Sequence, residues 1–339
     1  MSDTKGNLGN DPSSQVERKL TLTRNRFGTT GLEPSRIGLG AMELAGPPRA
    51  PYLSETEATR LLHAALDMGI NYFDTSIDYG KSEEVIGAAL SKHRDKFILA
   101  TKCGCQVGVE AHGEGSHVYT PDNIRAGVEQ SLRRLKTDHI DVMQLHGNPT
   151  REMLESQGGM EALLELKRKG VIGHIGLSSR KPYLKDFLDI EAFEVFQIPY
   201  SAIQRQHEDI IETVFDSNRA TVVRGAVARG SAAKAWKSIP IGMKDGQAQS
   251  VWEGAGLDQI LDGMPPVEFM IRFALTNPKI SLCLTGSSNI QHLIQNVEAA
   301  NKGPLPSDLY NESLKRLEAA GSAPGDPEYA RGGPKPPNT

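Results

Sequence analysis

The chain has 339 residues, with 38 lysines and arginines against 42 aspartates and glutamates, a formal charge of -4. That near balance offers no basic surface for nucleic acid or for an anionic membrane, and both are excluded as main partners. No apolar run reaches the roughly 18 residues of a membrane span, and the opening "MSDTKGNLGNDPSSQVERK" has no signal-peptide core, so a cytoplasmic protein is expected.

Residues 1–18 and 320–339 are rich in glycine, proline and polar residues, which bury too little apolar surface to offset ordering; both are expected to be disordered tails around one unit at 19–319. That unit opens on "KLTLTRNRFGTTGLEPSRIGLG", which predicts a short hairpin around a glycine-rich turn and then a first strand at 37–40. In "SETEATRLLHAALDMG", Ser54 and Glu57 form a capping box, Leu61, Leu62, Ala65 and Leu66 an apolar stripe, and Gly69 a stop. A second strand at 71–74 follows, and a helix opens near Ser82.

"KFILATK" predicts a third strand, "TPDNIRAGVEQSLRRL" a helix with Thr120 before Pro121, and "HIDVMQLH" a fourth strand. "GMEALLELKRKG" is an amphipathic helix with a basic end, followed by strands in "HIGLSS" and "FEVFQIPY". "EDIIETVFDSN" and "ATVVRG" make the next helix and strand. An irregular insertion at 231–264 precedes the helix "PPVEFMIRFALTN", the strand "ISLCLTG" and the helix "NIQHLIQNVEAA". Eight short apolar strands alternating with helices require a parallel sheet covered by helices, and at this length they favour a closed (β/α)8 TIM barrel with no second domain.

In such a barrel the carboxyl ends of the strands face the active site. Asp74 ends strand two, Tyr79 lies five residues further in its loop, Lys102 ends strand three and His146 ends strand four. Singly, each has an ordinary structural role: a turn or cap for the aspartate, packing for the tyrosine, a satisfied hydrogen-bonding group for the histidine. Jointly they compose a general-acid system, in which a lysine held by a carboxylate lowers a phenol pKa normally of about 10 and an imidazole orients a substrate oxygen.

The motifs "FDTSIDYGKSEE", "ATKCG", "TDHIDVMQLH", "VIGHIGLSS" and "FQIPYS", in this order, resemble successive signatures of the aldo-keto reductase family, and the similarity runs from about residue 25 to 318. The resemblance implies an NAD(P)-dependent barrel oxidoreductase acting on a small-molecule carbonyl or alcohol substrate. Tyr79 would be its proton donor, Lys102 and Asp74 the tuning pair, and His146 the group at the carbonyl. It further implies a clamp on the nicotinamide carboxamide by Ser178, Ser179 and Gln197, although the family often has Asn at the second of these positions. The chain lacks a G-x-G-x-x-G after a strand, in keeping with a cofactor bound without a Rossmann domain.

"LTGSSNIQHLIQN" joins the last strand to a helix whose first amides suit a phosphate, or are simply capped by Ser288 or Asn289. The cofactor set expected there is Gly286, Ser287, Ser288, His292, Gln295 and Asn296. Gly286 and His292 stand where many NADP-specific relatives carry Lys and Arg, a departure that leaves the choice between the two forms open: NADP is the favoured cofactor and NAD is possible. Arg224 stands in "RGAVARG" where many relatives stack a tyrosine on the nicotinamide. Its guanidinium suits stacking, a cofactor phosphate, a substrate carboxylate or a plain salt bridge.

Cys103, Cys105 and Cys283 are too few for a disulfide framework or an iron–sulfur cluster, "CGC" lacks zinc spacing, and buried thiols are expected. His112 and His117 have no standard metal spacing and read as solvated loop histidines, so no metal site is expected. "LRRLK" reads as the wet side of a helix, and Trp236 and Trp252 either pack locally or line the pocket. Two rival functions are a noncatalytic nicotinamide-binding regulatory subunit and a sugar dehydrogenase or epimerase working through a keto intermediate. The sequence assigns no oligomeric state.

Overall fold

The computed structural model describes residues 22–47, 50–108, 117–230 and 243–326. Eight parallel strands follow one another around a closed barrel: β1 (Ile37–Gly40), β2 (Tyr72–Asp74), β3 (Ile98–Cys103), β4 (Ile140–His146), β5 (Ile172–Ser178), β6 (Val195–Pro199), β7 (Ala220–Arg224) and β8 (Leu282–Thr285). β8 pairs back onto β1, with Ile37 opposite Cys283, so the sheet has no edge. The (β/α)8 expectation holds.

The helices around it are α1 (Glu55–Asp67), α2 (Ser82–Leu90), α3 (Pro121–Leu135), α4 (Arg151–Gln157), α5 (Gly159–Arg168), α6 (Glu208–Asp216), α7 (Gln247–Gly254), α8 (Pro266–Thr276), α9 (Ile290–Asn301) and α10 (Ser307–Ala319). α1 begins with the expected capping box on Ser54 and Glu57 and buries Ala58, Leu61, Leu62 and Ala65. Thr120 caps α3 through Asn123 N, with Pro121 at its first position.

Sequence patterning missed α4, α7 and α10. In α7 the buried residues Ala248, Val251 and Trp252 have helical spacing, but surrounding glycines and polar residues made the segment read as irregular. Trp252 packs locally: its ring meets Phe269 edge-on at 5.8 Å and its Nε1 donates to Asp258 at 2.9 Å. Trp236 lies outside the described residues.

The amino-terminal hairpin is present as an antiparallel bridge between Arg24 and Ser35. At its turn Phe27 is fully buried and joins Tyr72, Ile98, Ala100, Val142, Val195, Ala220, Val222, Leu282 and Leu284 in one apolar cluster inside the barrel. Gly28 lies against the start of β7, so the hairpin stoppers the amino-terminal end. Burying a phenylalanine there contributes about 1.5–3 kcal/mol.

Of the "LRRLK" cluster, Arg133 and Lys136 are exposed as expected. Arg134 instead turns inward, donating to Ile77 O at 3.1 Å and reaching the buried Glu83 carboxyl of α2 at 3.5 Å. All three cysteines are free and buried. The packed chain continues past residue 319: Ser322 is buried and donates to Ala202 O at 2.8 Å. Among the described residues no helix is long and apolar enough to cross a membrane.

Candidate active site

Side chains alternate along a strand, so residues two apart share a face. On the inner face, Asp74 follows Tyr72, Lys102 follows Ala100, Gln144 follows Val142, Gln197 follows Val195 and Arg224 follows Val222. The parallel register sets Lys102 beside Gln144, His146 beside Ser178, and Ser178 beside Gln197. One step above the apolar layer, the barrel interior therefore becomes polar at its carboxyl end.

At its centre Lys102 Nζ donates to Asp74 Oδ2 at 2.6 Å and to Thr75 O at 2.7 Å, and both side chains of the pair are buried. The other carboxylate oxygen, Asp74 Oδ1, accepts from Gln144 Nε2 at 2.9 Å and Gln197 Nε2 at 2.8 Å. Gln197 Oε1 in turn accepts from Ser178 Oγ at 2.9 Å. This network supplies the hydrogen bonds without which a buried ion pair is costly. Burial pushes the Lys102 ammonium down, but Asp74 and Tyr79 push it up by more, and the net direction is upward.

The same ammonium lies 4.8 Å from the centroid of the Tyr79 ring, which meets the His146 ring edge-on at 6.3 Å. The expectation that Lys102 leaves this phenol below its ordinary pKa is corrected. Burial raises it, Asp74 and Asp78 add to the rise, and the lowering by Lys102 and Arg224 does not overcome them. Tyr79 is consequently a protonated hydroxyl at neutral pH. His146 is lowered to about 3, chiefly by burial, and is a neutral imidazole. Its Nδ1 faces Cys105 Sγ at 3.3 Å and Asp78 Oδ1 at 3.7 Å, while Ser76 Oγ donates to Asp78.

Two glycines shape the loops beside it. Gly104 (φ +95°) and Gly147 (φ +91°) hold left-handed conformations, and a Cβ on either would lie 2.7 Å from the Tyr119 ring or 2.8 Å from the His117 ring. The room they leave admits residues 117–119: His117 stacks on Tyr119 and meets His146 edge-on at 5.5 Å, and Tyr119 Oη donates to His146 O at 2.8 Å. His117 is thus part of the barrel mouth, not the solvated loop histidine its glycine-rich surroundings suggested. His112 lies outside the described residues.

The residues expected to meet a cofactor fall into two groups. At the ends of β5 to β7, Ser178 and Gln197 are tied into the Asp74 network, whereas Ser179 Oγ donates to Asn148 Oδ1 at 3.1 Å and presents a hydroxyl next to an amide. Arg224, part-buried at the end of β7, lowers Tyr79, His146 and the buried His207, which places its charge among these groups. At the second group, Asn289 caps α9 through Gln291 N at 2.8 Å, and Ser287 Oγ accepts from Asn289 N at 3.0 Å. Ser287 and Asn296 are buried, Ser288 is half-buried, and Gly286, His292 and Gln295 are exposed along one side.

A Cβ on Gly286 would close to 3.1 Å on Gly40 O and 3.3 Å on Glu43 Cγ. The turns after β8 and β1 therefore lie close together at this glycine. The exposed start of α9 suits a phosphate, and the Ser179 and Asn148 pair offers polar groups of the kind a carboxamide takes. Gln144, Asn148, Cys105, Tyr119 and Glu43 were not singled out in the sequence for these positions. For Gln144 a signal existed, since it precedes His146 by two residues on the same strand face.

The model of the "Aldo/keto reductase family" matches residues 36–317. The chain is 30% identical over 311 residues to "Uncharacterized oxidoreductase YqkF" of Bacillus subtilis, covering 88% of this chain and 96% of that protein. It is 26% identical over 314 residues to the L-galactose dehydrogenase of Arabidopsis thaliana, covering 86% and 92%. Among solved structures, the holo form of aldo-keto reductase AKR11C1 from Bacillus halodurans superposes with a TM-score of 0.77 at 30% identity, covering 91% of this chain and 99% of that one.

Proposed function

The chain belongs to the aldo/keto reductase family of oxidoreductases, which use nicotinamide cofactors on small-molecule carbonyl compounds, and from that premise we propose that it reversibly reduces an aldehyde or ketone to the alcohol, with Tyr79 as proton donor. The observation that carries this reading is the convergence of a part-buried, protonated phenol, an ammonium 4.8 Å from its ring and an imidazole at one barrel mouth.

A bound nicotinamide supplies the hydride. The protein supplies the proton and the charge. Tyr79 holds a hydroxyl hydrogen at neutral pH, and as it gives that hydrogen to the carbonyl oxygen, the Lys102 ammonium offsets the growing negative charge on the phenol. Asp74, gripped by Gln144 and Gln197, keeps that ammonium in place. When the Cys105 thiol donates to His146 Nδ1, the other ring nitrogen carries the hydrogen and offers it to the carbonyl oxygen.

Gly286, Ser287, Ser288, His292, Gln295 and Asn296 would hold the adenosine end of the cofactor, and Ser179 with Asn148 its carboxamide. Ser178 and Gln197 would act there mainly by fixing Asp74. NADP(H) is the preferred form in this reading, with NAD(H) also accepted, because His292 is exposed at the start of α9 while Gly286 carries no charge and Glu43 lies beside it. A cytoplasmic location is part of the same proposal.

The test is a panel of aldehydes, ketones, sugars and keto acids, offered to the purified chain with NADPH and with NADH and followed by loss of reduced-nicotinamide absorbance. Turnover of a carbonyl is expected. Cofactor binding by fluorescence without turnover of any panel member would instead favour the regulatory reading.

A further inference from the structure

The mouth of the barrel brings together three donor groups that carbonyl reduction does not need as a set. Cys105 Sγ, one nitrogen of His117 and one of His146 all lie within 4.8 Å of one another. Backbone structure holds each of them. Cys105 and His117 face each other in an antiparallel bridge, reinforced by Val118 N donating to Gly104 O at 2.7 Å. His146 ends β4, and its carbonyl is fastened by the Tyr119 hydroxyl at 2.8 Å. Gly147 leaves the space His117 occupies, since any Cβ there would strike that ring at 2.8 Å.

We propose that Cys105, His117 and His146 form a binding site for a thiophilic divalent cation, with zinc the ion that suits the donor set best. One thiolate and two imidazoles are borderline-soft ligands of the kind zinc prefers over calcium or magnesium, which take oxygen. Around a tetrahedral ion at 2.0–2.3 Å, neighbouring donor atoms are about 3.3–3.6 Å apart. Cys105 Sγ and His146 Nδ1, at 3.3 Å, are within about 0.3 Å of the sulfur–nitrogen value. The widest gap in the group, at most 4.8 Å, closes with up to about 1.5 Å of movement.

Three protein donors leave a fourth position for water or a small ligand, as in catalytic zinc sites. Sequence spacing gave no hint, because the donors come from the end of β4 and from two sides of a loop after β3.

Cobalt is the probe. The full chain, stripped with a chelator, is titrated with Co2+ at neutral pH and then challenged with Zn2+. One equivalent of cobalt should give the near-ultraviolet thiolate-to-cobalt charge-transfer band and the visible bands of a tetrahedral ion, and zinc should erase both. Cys105→Ser should remove the charge-transfer band, and His117→Asn should weaken cobalt binding at least about tenfold, with circular dichroism checking that each variant is folded. If either variant fails to fold, the wild-type band and its displacement by zinc decide alone. Cobalt bound with no charge-transfer band in the wild type, or a band that survives in folded Cys105→Ser, overturns the proposal. The readout is binding, so it stands apart from whether any carbonyl is reduced.

Discussion

In the lower half of the barrel Tyr72, Ala100, Val142 and Leu282 fill the interior almost entirely with carbon, and Phe27 stoppers it. Two residues further along the same strands stand Asp74, Lys102 and Gln144, an ion pair and an amide with each carboxylate oxygen accounted for. The lower layer is held by volume, so its energetics follow the size of the groups removed. The upper layer is held by the hydrogen bonds and the charge that meet on the Asp74 carboxylate. Removing one member strands its partners without water to replace it, so small chemical changes there have large effects.

The largest expected effect is on turnover. Tyr79→Phe keeps the ring that packs on His146 and removes only the hydroxyl; carbonyl reduction should fall by roughly 10² to 10⁴ while cofactor affinity holds. Near-native turnover in the purified variant would remove Tyr79 from the chemistry. Next, Lys102→Met leaves Asp74 buried without its cation and should cost about 3–5 kcal/mol of stability by urea unfolding. An unchanged unfolding midpoint would mean that the upper layer does not depend on its ion pair.

In the lower layer, Leu282→Ala should cost about 2–5 kcal/mol through lost contacts and a cavity, with turnover per folded molecule retained. A selective loss of turnover at full stability would erase the distinction between the layers. The smallest effect concerns pH. Burial lowers both His146 and His207 from 6.5 to about 3, and His207 Nε2 accepts from Lys181 N at 3.0 Å. Each is neutral when folded and gains a proton on unfolding. Their contribution is fully present above about pH 6.5 and drains as pH falls toward 3, at up to ~1.4 kcal/mol per pH unit for each. Denaturant titrations between pH 7 and 5 should show this slope, and His207→Gln should flatten it; an identical slope in that variant would assign the effect elsewhere.

The barrel was legible because its strands are short apolar runs spaced by well-capped helices, as Ser54 and Thr120 show. Asp74, Lys102 and His146 were legible because each is a polar residue closing such a run. Gln144 closes no such run, and its one signal was its place two residues before His146; its acceptor, Asp74 on β2, comes within reach only in the closed barrel. The direction of the Tyr79 shift was not legible because a sequence shows which charges are near but not how much water the fold removes from the phenol, the effect that outweighs the lowering by Lys102. Cys105 and His117 are twelve residues apart across a glycine-rich loop, and only the fold brings them to His146.

The segment after α10 bears on how the protein is handled at the bench. Lys181, fully buried two residues after Ser179, donates to Asp209 at 2.7 Å and to Gly325 O at 3.1 Å, and Asp326 lies 3.4 Å away. Arg205 likewise donates to Ser322 O at 3.0 Å. A purification tag or protease site placed directly after Ala319 would remove acceptors from two buried cations next to the loop that carries Ser179. The same fusion placed after Asp326 keeps every one of those bonds, which makes residue 326, rather than the end of the last helix, the earliest safe point of attachment.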